Sequence, residues 1–97
     1  MGEKSEPKVL VTLKINPEDI DTDLEKVVEE LKSRLPPEME VVRYDKVYVA
    51  FGLYALRVYV LMPERYEGGT EKLEEVVKSV PGVSSVDIEM VTRVSAF

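Results

Sequence analysis

Val9, Val11, Leu13 and Ile15 recur at every second position, with Leu10, Thr12 and Lys14 between them. That alternation predicts a strand with one fully apolar face, broken at Asn16-Pro17. The period then changes. Leu24, Val27, Val28, Leu31 and Leu35 fall at helical spacing, while Glu25, Lys26, Glu29, Glu30 and Lys32 lie off the stripe. Thr22 and Glu25 have capping-box spacing at its start, and Pro36-Pro37 ends it. Met39–Tyr44 reads as a short strand, and Asp45–Gly52 as a loop, extended in part at Val47–Val49. Leu53–Met62 is the strongest strand: Leu56, Val58, Val60 and Met62 face one way, and Ala55, Arg57, Tyr59 and Leu61 the other. After a polar loop over Pro63–Gly69, Thr70 is placed as the cap of a second helix with the stripe Leu73, Val76, Val77 and Val80. Pro81-Gly82 stops that helix, and Val83–Val94 is the last strand, with Val86, Ile88 and Met90 on its inner face.

The element order is strand, helix, strand, strand, helix, strand. Two amphipathic helices need a sheet to cover, and right-handed crossovers bring both to one face of it. The expected fold is therefore α+β: a ferredoxin-like two-layer sandwich, βαββαβ, with an antiparallel sheet in the order 4-1-3-2. The first and third strands, the most apolar, then lie at its centre. A chain of 97 residues makes one domain, expected over residues 8–97 after a flexible tail at residues 1–7.

Composition narrows the chemistry. Cysteine and histidine are both absent, which removes disulfides, thiolate zinc sites, a cysteine nucleophile and the usual general base near neutral pH. No Ser/His/Asp set exists, and no carboxylate pair stands out among the surface acids, so hydrolytic or redox catalysis is not expected. The net charge of -6 argues against nonspecific binding to nucleic acid or anionic membrane. No apolar run is long enough to span a bilayer and no apolar signal core opens the chain, so a cytoplasmic location is expected. Glutamine is absent and Glu, Lys and Arg abound, a composition that leans towards a thermophile.

Several patterns are weaker than they look. Asp19, Asp21, Asp23 and Glu30 mimic the spacing of a calcium loop, but the position needing glycine holds Leu24. These acids read instead as support for a helix N-terminus, and no metal or cofactor is expected. Gly68-Gly69-Thr70 precedes a helix but lacks the rest of a phosphate-binding loop, so a turn and cap is the expected role. Phe51-Gly52-Leu53-Tyr54 invites an RNA-recognition reading, yet Val49-Ala50 stand where that signature wants a basic residue and glycine. Tyr44, Tyr48, Tyr54 and Tyr59 are expected on the open face of the sheet, as packing residues of half-buried strands. The same face is able to pair with another subunit, so a monomer or weak dimer is expected.

Five ordered segments carry a resemblance. They are the strand Val9–Lys14 leading to Pro17–Leu24, then Ala50–Leu56, then Glu67–Thr70, and finally Gly82–Asp87. In order and spacing the chain resembles the short archaeal form of the translation elongation factor 1-beta exchange domain, from about Lys8 to Val94. The resemblance implies a guanine-nucleotide exchange factor that promotes GDP release from elongation factor 1-alpha, the GTPase that delivers aminoacyl-tRNA. It also implies that the chain has no catalytic chemistry of its own. The family's loop phenylalanine, which docks on the GTPase, matches Phe51, followed by Gly52. A basic residue near the end of the last strand reaches toward the magnesium and phosphate site, and Arg93 matches it where eukaryotic relatives carry lysine. Without the resemblance, Arg57, Lys46 and Arg65 are equal candidates for that cation. The alternative function is a ferredoxin-like module that binds a small molecule or drives oligomerisation.

Overall fold

The computed structural model describes residues 7–94. Most of the expected tail, and the Ser95-Ala96-Phe97 end, lie outside the described residues. The chain runs β1 (Lys8–Pro17), α1 (Leu24–Arg34), β2 (Glu40–Ala50), β3 (Leu53–Pro63), α2 (Gly69–Lys78) and β4 (Val83–Val94). The strands form one antiparallel sheet in the order β2-β3-β1-β4. This is the expected ferredoxin-like sandwich, its order written from the other edge.

One face of β1 and β3 builds the floor of the core. Val11, Leu13 and Ile15 of β1, with Leu56, Val58, Val60 and Met62 of β3, are all buried. Leu24, Val27, Val28 and Leu31 of α1 and Leu73 and Val77 of α2 close the same cluster from above. One core uniting both helices with the same strand faces means that both helices cover one side of the sheet. The other side has no covering layer among the described residues. Central placement matters energetically, because fully burying a Leu or Val side chain is worth about 1.5–3 kcal/mol.

Both helix starts differ from the expectation. α1 is capped by Asp23, not Thr22: the Asp23 side chain accepts hydrogen bonds from the backbone N–H groups of Glu25 and Lys26. Thr22 serves the preceding loop, where its Oγ1 accepts from the Asp19 N–H at 3.3 Å. A carboxylate one residue nearer the helix satisfies the free donors and also complements the positive end of the helix dipole. Asp23→Ala is expected to cost about 1 kcal/mol, read as a lowered melting temperature with the fold retained. α2 begins at Gly69 with Gly68 as its cap, in the left-handed region and without a side-chain cap bond, so Thr70 lies in the first turn.

The strands are longer than their apolar patterns. β1 continues through Asn16 and Pro17, which pair with Ser85 and Val83 of β4. Asp45–Ala50 is strand, not loop, because β3 offers it a partner along its whole length. Register shifts between Val41 and Arg43, and between Tyr48 and Ala50, conceal its alternation. A further shift on β4 overturns the inner placement of Met90. Ile88 pairs with Leu13 but Met90 pairs with Thr12, so Glu89 is an extra residue and Met90 turns outward, 59% exposed.

Candidate functional site

β2 and β3 are joined by two residues, Phe51 and Gly52, between the paired Ala50 and Leu53. Both have positive φ, 51° at Phe51 and 78° at Gly52. A two-residue connection with both central φ values positive is a type I′ turn, whose twist suits the flanking strands. Asn-Gly is the favoured pair in such a turn, since asparagine tolerates the left-handed region and a bulky aromatic does not. Phe51 is the one non-glycine residue with positive φ among the described residues. It is also 96% exposed. A large apolar side chain thus stands clear of the protein, on a backbone conformation that disfavours it.

The surroundings hold this tip in place. A Cβ on Gly52 would lie 3.3 Å from Ile20 Cδ1, so the loop after β1 packs against the turn. Tyr48 and Tyr54, a directly opposed pair behind the turn, meet edge to face with ring centroids 5.5 Å apart. Ile20, Tyr48, Val49 and Tyr54 are themselves exposed, so Phe51 crowns an apolar end of the molecule. Gly52→Ala is expected to lose about 1 kcal/mol in thermal unfolding, from the strained φ and the contact with Ile20.

Of the four tyrosines expected on the open face, only Tyr59 lies there. Tyr44 is opposite the buried Val58, and Tyr48 is opposite Tyr54, which shares the face of Leu56. Arg43 sits over the Tyr59 ring, 5.5 Å from its centroid. The open face is laced by its own charges: Arg43 pairs with Asp45 at 3.3 Å and Arg57 with Glu89 at 2.9 Å. The Glu89 hydrogen bond and charge raise the Arg57 pKa above its usual value, so this cation is tied within its own sheet. Lys46 reaches Glu25 of α1 at 3.6 Å.

Arg93 occupies the opposite end of the molecule. It lies across from Val9, which in turn lies across from Met62, near the far end of β3. Phe51 precedes the first residue of β3. At about 3.3 Å per residue, the two are separated by roughly 30 Å along the sheet. The fold therefore does not gather Phe51, Gly52 and Arg93 into one pocket. Arg93 is 71% exposed in its side chain and pairs with Glu64 at 3.1 Å. Arg65, next in the chain to Glu64, is exposed at the same end.

The acid run after β1 is occupied with local structure. Asp19 Oδ1 accepts from the Asp21 N–H at 2.8 Å, and Asp23 caps α1. It also flanks a shallow cleft lined by Asp19, Ile20, Leu24, Lys46, Gly52 and Tyr54, beside the turn. Among the described residues, no helix is long and apolar enough to cross a membrane.

The EF-1 guanine nucleotide exchange domain matches this chain over residues 10–94. The chain belongs to that family. It is 57% identical to elongation factor 1-beta of Ignicoccus hospitalis over 88 residues, which span 91% of this chain and 94% of that protein. It is 52% identical to the same-named protein of Staphylothermus marinus, covering 91% and 98% of the two chains. Against that of Hyperthermus butylicus it is 48% identical, covering 93% and 98%. These relatives are archaeal and include thermophiles, in keeping with the composition. A guanine-nucleotide exchange role in translation elongation follows, and the small-molecule alternative is not favoured. In structure, the chain resembles the C-terminal domain of the MgtC protein from Mycobacterium tuberculosis, with a TM-score of 0.52, 15% identity and 92% of each chain covered. That likeness reflects the fold alone.

Sequence reasoning missed two features of this exchange domain. The hairpin end is an apolar cluster and not a lone phenylalanine, and the signal for it was Ile20, a single apolar residue inside an acid run. Glu64 carried no signal, because its meeting with Arg93 depends on β1 lying between β3 and β4.

Proposed function

We propose that this chain accelerates GDP release and GDP/GTP exchange on elongation factor 1-alpha, making and breaking no covalent bond itself. The observation that carries the reading is the exchange-domain match across nearly the whole chain. Phe51 docks in an apolar recess of the GTPase, and Gly52 allows the turn that presents it. Arg93 approaches the magnesium and phosphate site. Support for Phe51 comes from its near-complete exposure in a strained turn, since strain of that kind collects where function requires it. Support for Arg93 comes from its exposure at the end of a strand anchored in the sheet.

Contacts at two ends of one sheet suit exchange. A partner that binds the nucleotide-free GTPase better than its GDP form must weaken GDP by the same factor. The apolar end supplies affinity in either state. The cationic end discriminates between states: a positive charge near magnesium raises the ion's energy, and magnesium neutralises the phosphates that hold GDP in place. A rigid sheet fixes the distance between the two, so docking one end aims the other.

The test is release of fluorescent GDP from the same organism's elongation factor 1-alpha, with excess unlabelled nucleotide. Strong acceleration by substoichiometric amounts of the chain is expected. No acceleration, with both proteins folded and the GTPase able to bind GDP, removes the reading.

A further inference from the structure

Arg93 is not a loose cation. β3 and β4 flank the start of β1, and Arg93, Val9 and Met62 lie in one row across the three strands. Strands on either side of a third are about 9.6 Å apart, a gap bridged by long side chains reaching over the middle strand. Arg93 and Glu64 do this. Arg93 Nε donates to Glu64 Oε1 at 3.1 Å, and Nη2 lies 3.1 Å from the same oxygen. The pair uses one edge of the guanidinium, so in that planar group the Nη1 donors point away from Glu64.

Glu64 is itself firmly mounted. Its N–H donates to the Pro7 carbonyl at 3.0 Å, one step beyond the Lys8–Pro63 pair that ends the β1–β3 ladder. Its side chain is 34% exposed, against 71% for Arg93. The Glu64 backbone is thus pinned to the sheet, and its carboxylate is the less exposed member of the pair and the guanidinium the more exposed one.

We propose that Glu64 is a positioning residue for nucleotide exchange: it holds Arg93 so that the free edge of the guanidinium is already aimed outward when the GTPase docks. The proposal rests on the reading of Arg93 given above. An unrestrained arginine must give up large rotamer freedom on docking, and a side chain held in place beforehand gives up less. The carboxylate also subtracts charge from the cation. Orientation outweighs that loss because the carboxylate lies on the Nε/Nη2 edge, farther than Nη1 from a nucleotide met by the free edge, and its effect falls with distance, whereas a misdirected guanidinium contributes nothing there.

The experiment compares exchange kinetics of the parent with Glu64→Ala, Glu64→Gln, Arg93→Ala and the double variant Glu64→Ala/Arg93→Ala, all below their melting temperatures. Glu64→Ala is expected to lower the maximal exchange rate about fivefold, the scale of one exposed pair, with little change in the concentration giving half-maximal exchange. Glu64→Gln, whose Oε1 still accepts from Arg93, is expected to recover most of the rate. In the Arg93→Ala background, loss of Glu64 is expected to have no further effect. Normal exchange by Glu64→Ala alongside slow exchange by Arg93→Ala overturns the proposal and leaves the Arg93 reading standing. Faster exchange by Glu64→Gln than by the parent also overturns it, since the carboxylate would then be a restraint. Normal exchange by Arg93→Ala overturns the Arg93 reading and this proposal together.

Discussion

Phe51→Ala is expected to slow GDP release from the GTPase about thirtyfold at limiting exchange factor, through loss of about 2 kcal/mol of complex affinity. The effect should appear in the concentration needed for half-maximal exchange, with the rate at saturation little changed, because an anchor contributes alike to every state of the GTPase. Phe51→Asn separates contact from folding. The side chain is 96% exposed, so it has almost no packing to lose. At φ 51° an asparagine is better accommodated than a phenylalanine. Phe51→Asn is therefore expected to melt at or above the temperature of the parent while exchanging as poorly as Phe51→Ala. Thermal unfolding beside exchange kinetics checks both halves. An Asn variant that exchanges normally would show that the turn matters and the aromatic ring does not.

Arg93→Ala is expected to act on the other parameter. It should lower the maximal exchange rate by on the order of tenfold or more, the cost of removing a charge from a desolvated interface, and leave half-saturation nearly unchanged. Arg93→Lys should recover part of the loss: the charge remains, but the planar fork that meets Glu64 through Nε and Nη2 does not. Neither change should disturb folding, because the Arg93 side chain is largely exposed and surface pairs contribute little to stability. Titrating magnesium provides a second readout. If Arg93 works by opposing the ion, raising magnesium should slow exchange more for the parent than for Arg93→Ala. Identical magnesium dependence would place the role of Arg93 elsewhere on the GTPase.

The opposite-end arrangement explains why the two substitutions are expected to differ. Phe51 lies on a turn between edge strand β2 and central strand β3, while Arg93 lies near the end of edge strand β4. They share no neighbour over roughly 30 Å of sheet, so their effects should add in the double variant.

The chain's own alternation and helical spacing determined the element order and nearly all of the core, and the sheet order followed from that element order and the right-handedness of its crossovers. Val11, Leu13, Leu56, Val58 and Leu73 lie buried where their periods place them, because one-sided burial drives a regular element. Phe51 and Gly52 were legible as loop residues before a strong strand, but not as the two-residue turn they form, since Asp45–Ala50 reads as loop until β3 pairs with it. What the pattern could not contain was anything set by a partner strand. β2 runs through Asp45–Ala50 because β3 supplies hydrogen bonds along its length, although register shifts hide its alternation. Met90 points outward because one extra residue at Glu89 reverses the faces of β4. Asp23 displaced Thr22 as the cap because helix starts are decided by which side chain reaches free N–H groups, and both residue types can cap. The separation of Phe51 from Arg93 by roughly 30 Å of sheet, and the grip of Glu64 on Arg93, depend on how β3, β1 and β4 pair. Those are long-range pairings, fixed by the burial of one shared core and carried by no local run of residues.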